Sequence, residues 1–73
     1  MELAMILEHL AMAERHVTEG EQRIDKQRAL IARLQHDGHN TDAALALLER
    51  FQELLTMQKA DRERLQAELK RYR

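Results

Sequence analysis

Four histidines are the residues of this chain best suited to chemistry, and they fall in two pairs: His9 with His16, and His36 with His39 around Asp37. Imidazoles and carboxylates ligate metals and move protons near neutral pH. His36, Asp37 and His39 lie within four residues of one another beside Gly38, so these three would be the ligands of any metal site at a loop tip. Turn chemistry alone accounts for Asp37 and Gly38, and a working site needs three or four fixed ligands with supporting bonds behind them. His9 and His16 are seven residues apart on the flank of a helix, too far to grip one ion from a single helix. The residues three before them are Ile6 and Ala13, so the Glu-x-x-His pattern of di-iron bundles is missing. We assign no metal site and no cofactor, and read His9 and His16 as solvated. In a dimer, copies brought together by symmetry would instead make a pH-sensitive contact.

Covalent catalysis has little to draw on. The sequence contains neither serine nor cysteine, and no glycine-rich phosphate loop. Its carboxylates alternate with bases in the manner of a solvated helix face. An enzyme is not expected. The lack of cysteine also removes disulfides and thiolate metal clusters as sources of stability.

The elements that carry these residues follow from apolar spacing. Leu3, Ile6, Leu10, Ala13, Val17, Gly20, Ile24, Gln27, Ile31 and Leu34 advance in alternating steps of three and four. So do Ala44, Leu48, Phe51, Leu55, Gln58, Arg62, Leu65, Leu69 and Tyr72. A mean step of 3.5 is the coiled-coil period, and it gives each half a seam for another helix. Between the halves lies Asp37-Gly38-His39-Asn40-Thr41. Gly38 can take the left-handed conformation that closes a helix, Asn40 or Thr41 can cap the next one, and Asp42 suits its first turn. The expected fold is all-α: one domain over 1–73, with a first helix at about 2–36, a turn at 37–41 and a second helix at about 42–72. So short a connection forces an antiparallel hairpin, with paired residue numbers summing to about 77–79.

Charge supports that pairing. The net charge is −3 over 37–58, +3 over 59–73, −4 over 1–22 and +3 over 23–36. Folding back at Gly38 lays acid against base along both helices. Each exposed pair is worth only about 0 to 1 kcal/mol, but the pattern disfavours parallel helices.

At 73 residues, with 34% charged residues and no proline, the chain has the composition of long helices. Chains below about 80 residues rarely gain more than about 3–5 kcal/mol from one core. With no disulfides, oligomerisation is the usual remedy. The apolar pattern is also wider than a single seam. Leu45, Leu47, Leu48, Phe51, Leu54 and Leu55 crowd the start of the second helix, and Leu3, Met5, Ile6, Leu7, Leu10 and Met12 the start of the first. The expected assembly is a homodimer of hairpins, antiparallel about a twofold axis, forming a four-helix bundle. Leu3, Ile6, Leu10, Val17, Ile24, Ile31 and Leu34 would pack on Leu48, Phe51, Leu55, Leu65 and Leu69, while Leu7, Leu45, Leu47 and Leu54 would serve the second hairpin. A larger helical protein is the alternative partner for the same stripe. Mid-seam, Gly20, Gln27, Gln58 and Arg62 read as a register-fixing polar layer. Gly20 should lie near Gln58, and Arg62 within reach of Glu14 or Glu21. Gln27→Leu or Gln58→Leu should then raise stability.

The run Leu30-Ile31-Ala32-Arg33-Leu34, then Asp37-Gly38-His39-Asn40-Thr41, then Ala44 to Phe51 resembles short, uncharacterised bacterial helical-hairpin proteins over about half the chain. That resemblance implies the hairpin and no activity. In architecture alone, the plan also resembles the small plasmid-copy-control bundles that bind RNA with the outer face of their first helix. Here the first half of that helix is acidic. The bases Arg62, Arg64, Lys70, Arg71 and Arg73 have only Tyr72 as an aromatic neighbour, so there is no stacking platform. Nucleic acid is therefore the lesser alternative. The apolar stretch Leu3–Leu7 is too short to span a bilayer and lacks a basic start. The expectation is a small cytoplasmic interaction or adaptor protein without a membrane segment.

Overall fold

The computed structural model describes residues 2–72; Met1 and Arg73, the last of the C-terminal bases, lie outside the described residues. Two helices, α1 (Leu3–His36) and α2 (Asp42–Lys70), form an antiparallel hairpin. Its Cα envelope is a rod of 55 × 14 × 14 Å. The radius of gyration is 16.6 Å, against about 11 Å for a globule of this length. A rod this thin has a small interior.

The turn is built as its residues dictate. Gly38 has φ of 74°, in the left-handed region where a Cβ would be strained. Its N–H donates to the Gln35 carbonyl at 3.2 Å, and the N–H of His39 donates to the Leu34 carbonyl at 2.9 Å. These two bonds form a Schellman closure, which satisfies carbonyls that the end of α1 would otherwise leave open. Arg33 and His36 occupy the last turn of α1, against its negative end. Asn40 then starts α2: its Oδ1 accepts the Asp42 N–H at 2.8 Å, whereas Thr41 makes no side-chain cap bond. At the far end, α2 closes at Lys70, two residues short of the expected limit. The Arg71 and Tyr72 N–H groups turn back to Glu68 and Leu69 in three-residue steps that tighten the last turn.

Burial follows the alternating seam. Ile6, Ala13, Val17, Gly20, Ile24, Gln27 and Ile31 are buried on α1, and Leu65 on α2. Leu10, Leu34, Leu48, Phe51, Leu55, Gln58, Arg62 and Leu69 are half-buried. The imbalance has a packing cause. The α1 seam is rich in short or β-branched side chains, which lie beneath the longer leucines, Phe51, Gln58 and Arg62 of α2. Those longer groups overhang the seam and keep an edge in solvent. Leu3 and Tyr72, the outermost seam positions, are exposed because no further turn of the opposite helix covers them.

The antiparallel register is visible in the contacts. A Cβ at Gly20 would stand 2.7 Å from Gln58 Oε1 and 3.2 Å from Leu55 Cδ1, so α2 side chains fill the space that Gly20 leaves open on α1. Arg23 holds its guanidinium 5.6 Å from the Phe51 ring centroid. The Gln27 side-chain amide donates to the Ala44 carbonyl at 2.8 Å. Gly20 meets Gln58 as the pairing rule expects. Arg23 and Gln27 instead reach residues nearer the turn, which their long side chains allow.

Candidate interaction surface

Residues seven apart on a helix lie two turns from each other on one face, and this spacing sorts the surface into two flanks. His9, His16, Arg23 and Leu30 form a row along one side of α1; Leu47, Leu54, Asp61 and Glu68 form a row along α2. Two contacts show that these rows flank the same side of the seam. His9, Met12, Ala13 and His16 line a shallow groove with Asp61. Further along, Arg23 lies over Phe51, one turn from both Leu47 and Leu54. Outside these rows, Met5, Met12, Glu19, Lys26 and Arg33 continue the flank on α1, and Arg50, Met57, Arg64 and Arg71 on α2. The opposite flank carries Glu21, Asp25 and Arg28 facing Gln52, Thr56 and Lys59 across a groove floored by Ile24 and Leu55.

The exposed apolar side chains divide unevenly between the flanks. Met5, Met12, Leu30, Leu47, Leu54 and Met57, all between 37% and 68% exposed, lie on the first flank. The second flank holds Leu7 and Leu45. Thus, of the four residues expected to serve a second hairpin, Leu47 and Leu54 share a face while Leu7 and Leu45 lie on the other side. The seam residues Ile6, Leu10, Val17, Ile24, Ile31, Leu34, Leu48, Phe51, Leu55, Leu65 and Leu69 meet between the helices, buried or half-buried. Sequence reasoning passed over Arg23, Lys26, Arg33, Arg50 and Met57 as members of the apolar flank. The signal that finds them is the seven-residue repeat one step outside the seam.

Electrostatics on this flank centre on Arg64. Its guanidinium contacts Asp61 at 2.5 Å and Glu68 at 3.3 Å, three residues before and four after it on α2. The hydrogen bond that Arg64 donates to the Asp61 carboxylate, reinforced by the charge of Asp61 and by Glu68, raises the Arg64 pKa above the ordinary arginine value. Glu68 Oε2 is buried and accepts no hydrogen bond among the described residues.

The polar layer is less satisfied than the sequence suggests. Gln27 has its bond to Ala44, but Gln58 Oε1 and Arg62 Nε are both buried without a hydrogen-bond partner among the described residues. Arg62 does not reach Glu14 or Glu21. It leaves α2 within the seam, whereas both glutamates point out along the second flank and are exposed.

His36, Asp37 and His39 are exposed at the turn. Among the described residues, no three histidine or acidic side chains are grouped as a metal ion would require. No described helix is long and apolar enough to cross a membrane. Compared with protein-family models, with curated proteins and with solved structures, the chain matches none of them.

Proposed function

We propose that this chain is a small cytoplasmic interaction or adaptor protein that self-associates through its helical hairpin and catalyses no reaction. The observation that carries the reading is the set of large apolar side chains left outside the seam, six of them on one flank. Singly exposed leucines are ordinary, but several large apolar side chains gathered along one flank of a small protein mark an interaction surface. Full burial of each such side chain is worth about 1.5–3 kcal/mol, and a core of eight buried residues leaves the hairpin much to gain.

Nucleic-acid binding through the C-terminal bases has weaker support, since Arg64 is already engaged by two carboxylates of its own helix. Reversing Arg64 and Arg71 together should leave RNA and DNA retention at background; loss of a measurable retention would favour the nucleic-acid reading.

Light scattering across a range of concentrations tests self-association. The expected mass is twice the 8.6 kDa of one chain. A soluble 8.6 kDa species at every concentration would overturn the reading and leave the stripe to a different, larger helical partner.

A further inference from the structure

We infer that the flank carrying Leu30, Leu47, Leu54, Met57, Met12 and Met5 is the homodimer face, and that two hairpins meet on it with the turn of each lying over the open end of the other. This rests on the self-association proposed above and adds which face is used and how the copies are oriented.

Charge on the flank selects the orientation. Within α1 and α2, the half of this flank nearer the turn carries Arg23, Lys26, Arg33 and Arg50, giving +4. The half nearer the open end carries Glu19, Asp61 and Glu68 against Arg64, giving −2. Outside the helices, Asp37 lies in the same row at the turn, and Glu2 and Arg71 lie at the open end. A twofold axis perpendicular to the rod lays the +4 half of each copy on the −2 half of the other. A twofold axis along the rod, with both turns at one end, lays +4 on +4. Like charges brought together at an interface are strongly unfavourable, so they act against the second arrangement.

Apolar groups fit the same arrangement. Leu30, Leu47 and Leu54 form a cluster near the turn, and Met5 and Met12 form one near the open end. Crossing the copies sets the leucine cluster of one on the methionine cluster of the other at both ends. Methionine adapts to irregular partners. The crossed arrangement also brings Arg50 of one copy to the Asp61–Glu68 stretch of the other.

The area is adequate. The Cα envelope of one face has a flat footprint of about 770 Å², of the same order as the roughly 800 Å² of accessible surface that each partner buries in a standard interface. The opposite flank is as large but carries two large exposed apolar side chains, Leu7 and Leu45, among charged and polar residues.

Because the chain contains no cysteine, single cysteines report proximity cleanly. Met57 is 68% exposed and lies near the middle of α2, beside the proposed axis, so Met57→Cys should not disturb folding. Under mild oxidation it should form a disulfide-linked dimer. Lys59→Cys, exposed on the opposite flank, should remain monomeric on a denaturing non-reducing gel. Orientation is read from Arg50→Glu: in the crossed arrangement it should raise the dimer Kd about three- to tenfold. In the same-direction arrangement it would relieve repulsion and lower Kd. Cross-linking through Lys59→Cys, cross-linking through neither cysteine in a chain of dimeric mass, or tighter association of Arg50→Glu would each overturn the inference while self-association stands. A mass of 8.6 kDa would remove self-association itself.

Discussion

Replacing Gln58 with leucine should stabilise the hairpin, and replacing Gln27 should not. Gln58 Oε1 is buried against the space left by Gly20 and accepts no hydrogen bond among the described residues. A buried polar atom left unsatisfied costs about 1–3 kcal/mol. Leucine and glutamine have nearly equal helix propensities, so the backbone contributes little to the difference. Leucine also places apolar carbon beside Leu55. The expected gain is about 1–2 kcal/mol, which for a domain of this size corresponds to a rise in Tm of roughly 5–15 °C. Gln27 differs because its amide already donates to the Ala44 carbonyl at 2.8 Å. Losing that bond costs about 0.5–1.5 kcal/mol, and burying leucine at this site returns about the same. Gln27→Leu should therefore change stability by less than about 0.5 kcal/mol. Urea denaturation followed by far-UV circular dichroism measures both variants, with all proteins at several matched concentrations so that self-association enters each comparison equally. The reasoning is refuted if Gln58→Leu is less stable than the parent, or if both variants gain alike. The first outcome would mean that Gln58 Oε1 carries no penalty where it lies; the second would mean that the Gln27 bond is worth nothing.

Gly38→Ala should lower stability by about 1–2 kcal/mol through the backbone alone, because φ is +74° and nothing lies within 4 Å of the added carbon; an unchanged urea midpoint would show that the turn relaxes. Gly20→Ala should be neutral or stabilising by up to about 1 kcal/mol, since the group its Cβ would meet at 2.7 Å is the movable end of Gln58, which must swing aside, and a Leu55 methyl at 3.2 Å need give only slightly. Gly20→Leu should instead force the helices apart and cost about 1–3 kcal/mol, so opposite signs for the two variants are the readout.

The parts of the fold legible in the sequence are those in which one residue's identity carries the physics. Steps of three and four locate the seam because burial on a helix has that period, and they named all eight buried residues of the two helices. Gly38 and Asn40 located the turn because a left-handed φ and an open N–H each call for a particular side chain. What resisted reading depends on which side of the seam a side chain leaves by. Leu45 and Leu47 are two residues apart and look like one apolar stripe, yet they lie on opposite flanks. The charges beside them distinguish the two flanks. On the flank of Leu47 the charged helical residues of the turn half are all bases, while next to Leu45 the seven-residue row continues through Gln52 to Lys59. A purely apolar face would stick to any other apolar face, in either direction. One graded from +4 to −2 along its length has a preferred direction. In a rod whose interior holds seven buried side chains and one glycine, the apolar rows support the proposed second copy, and the charge gradient supports the crossed arrangement of it.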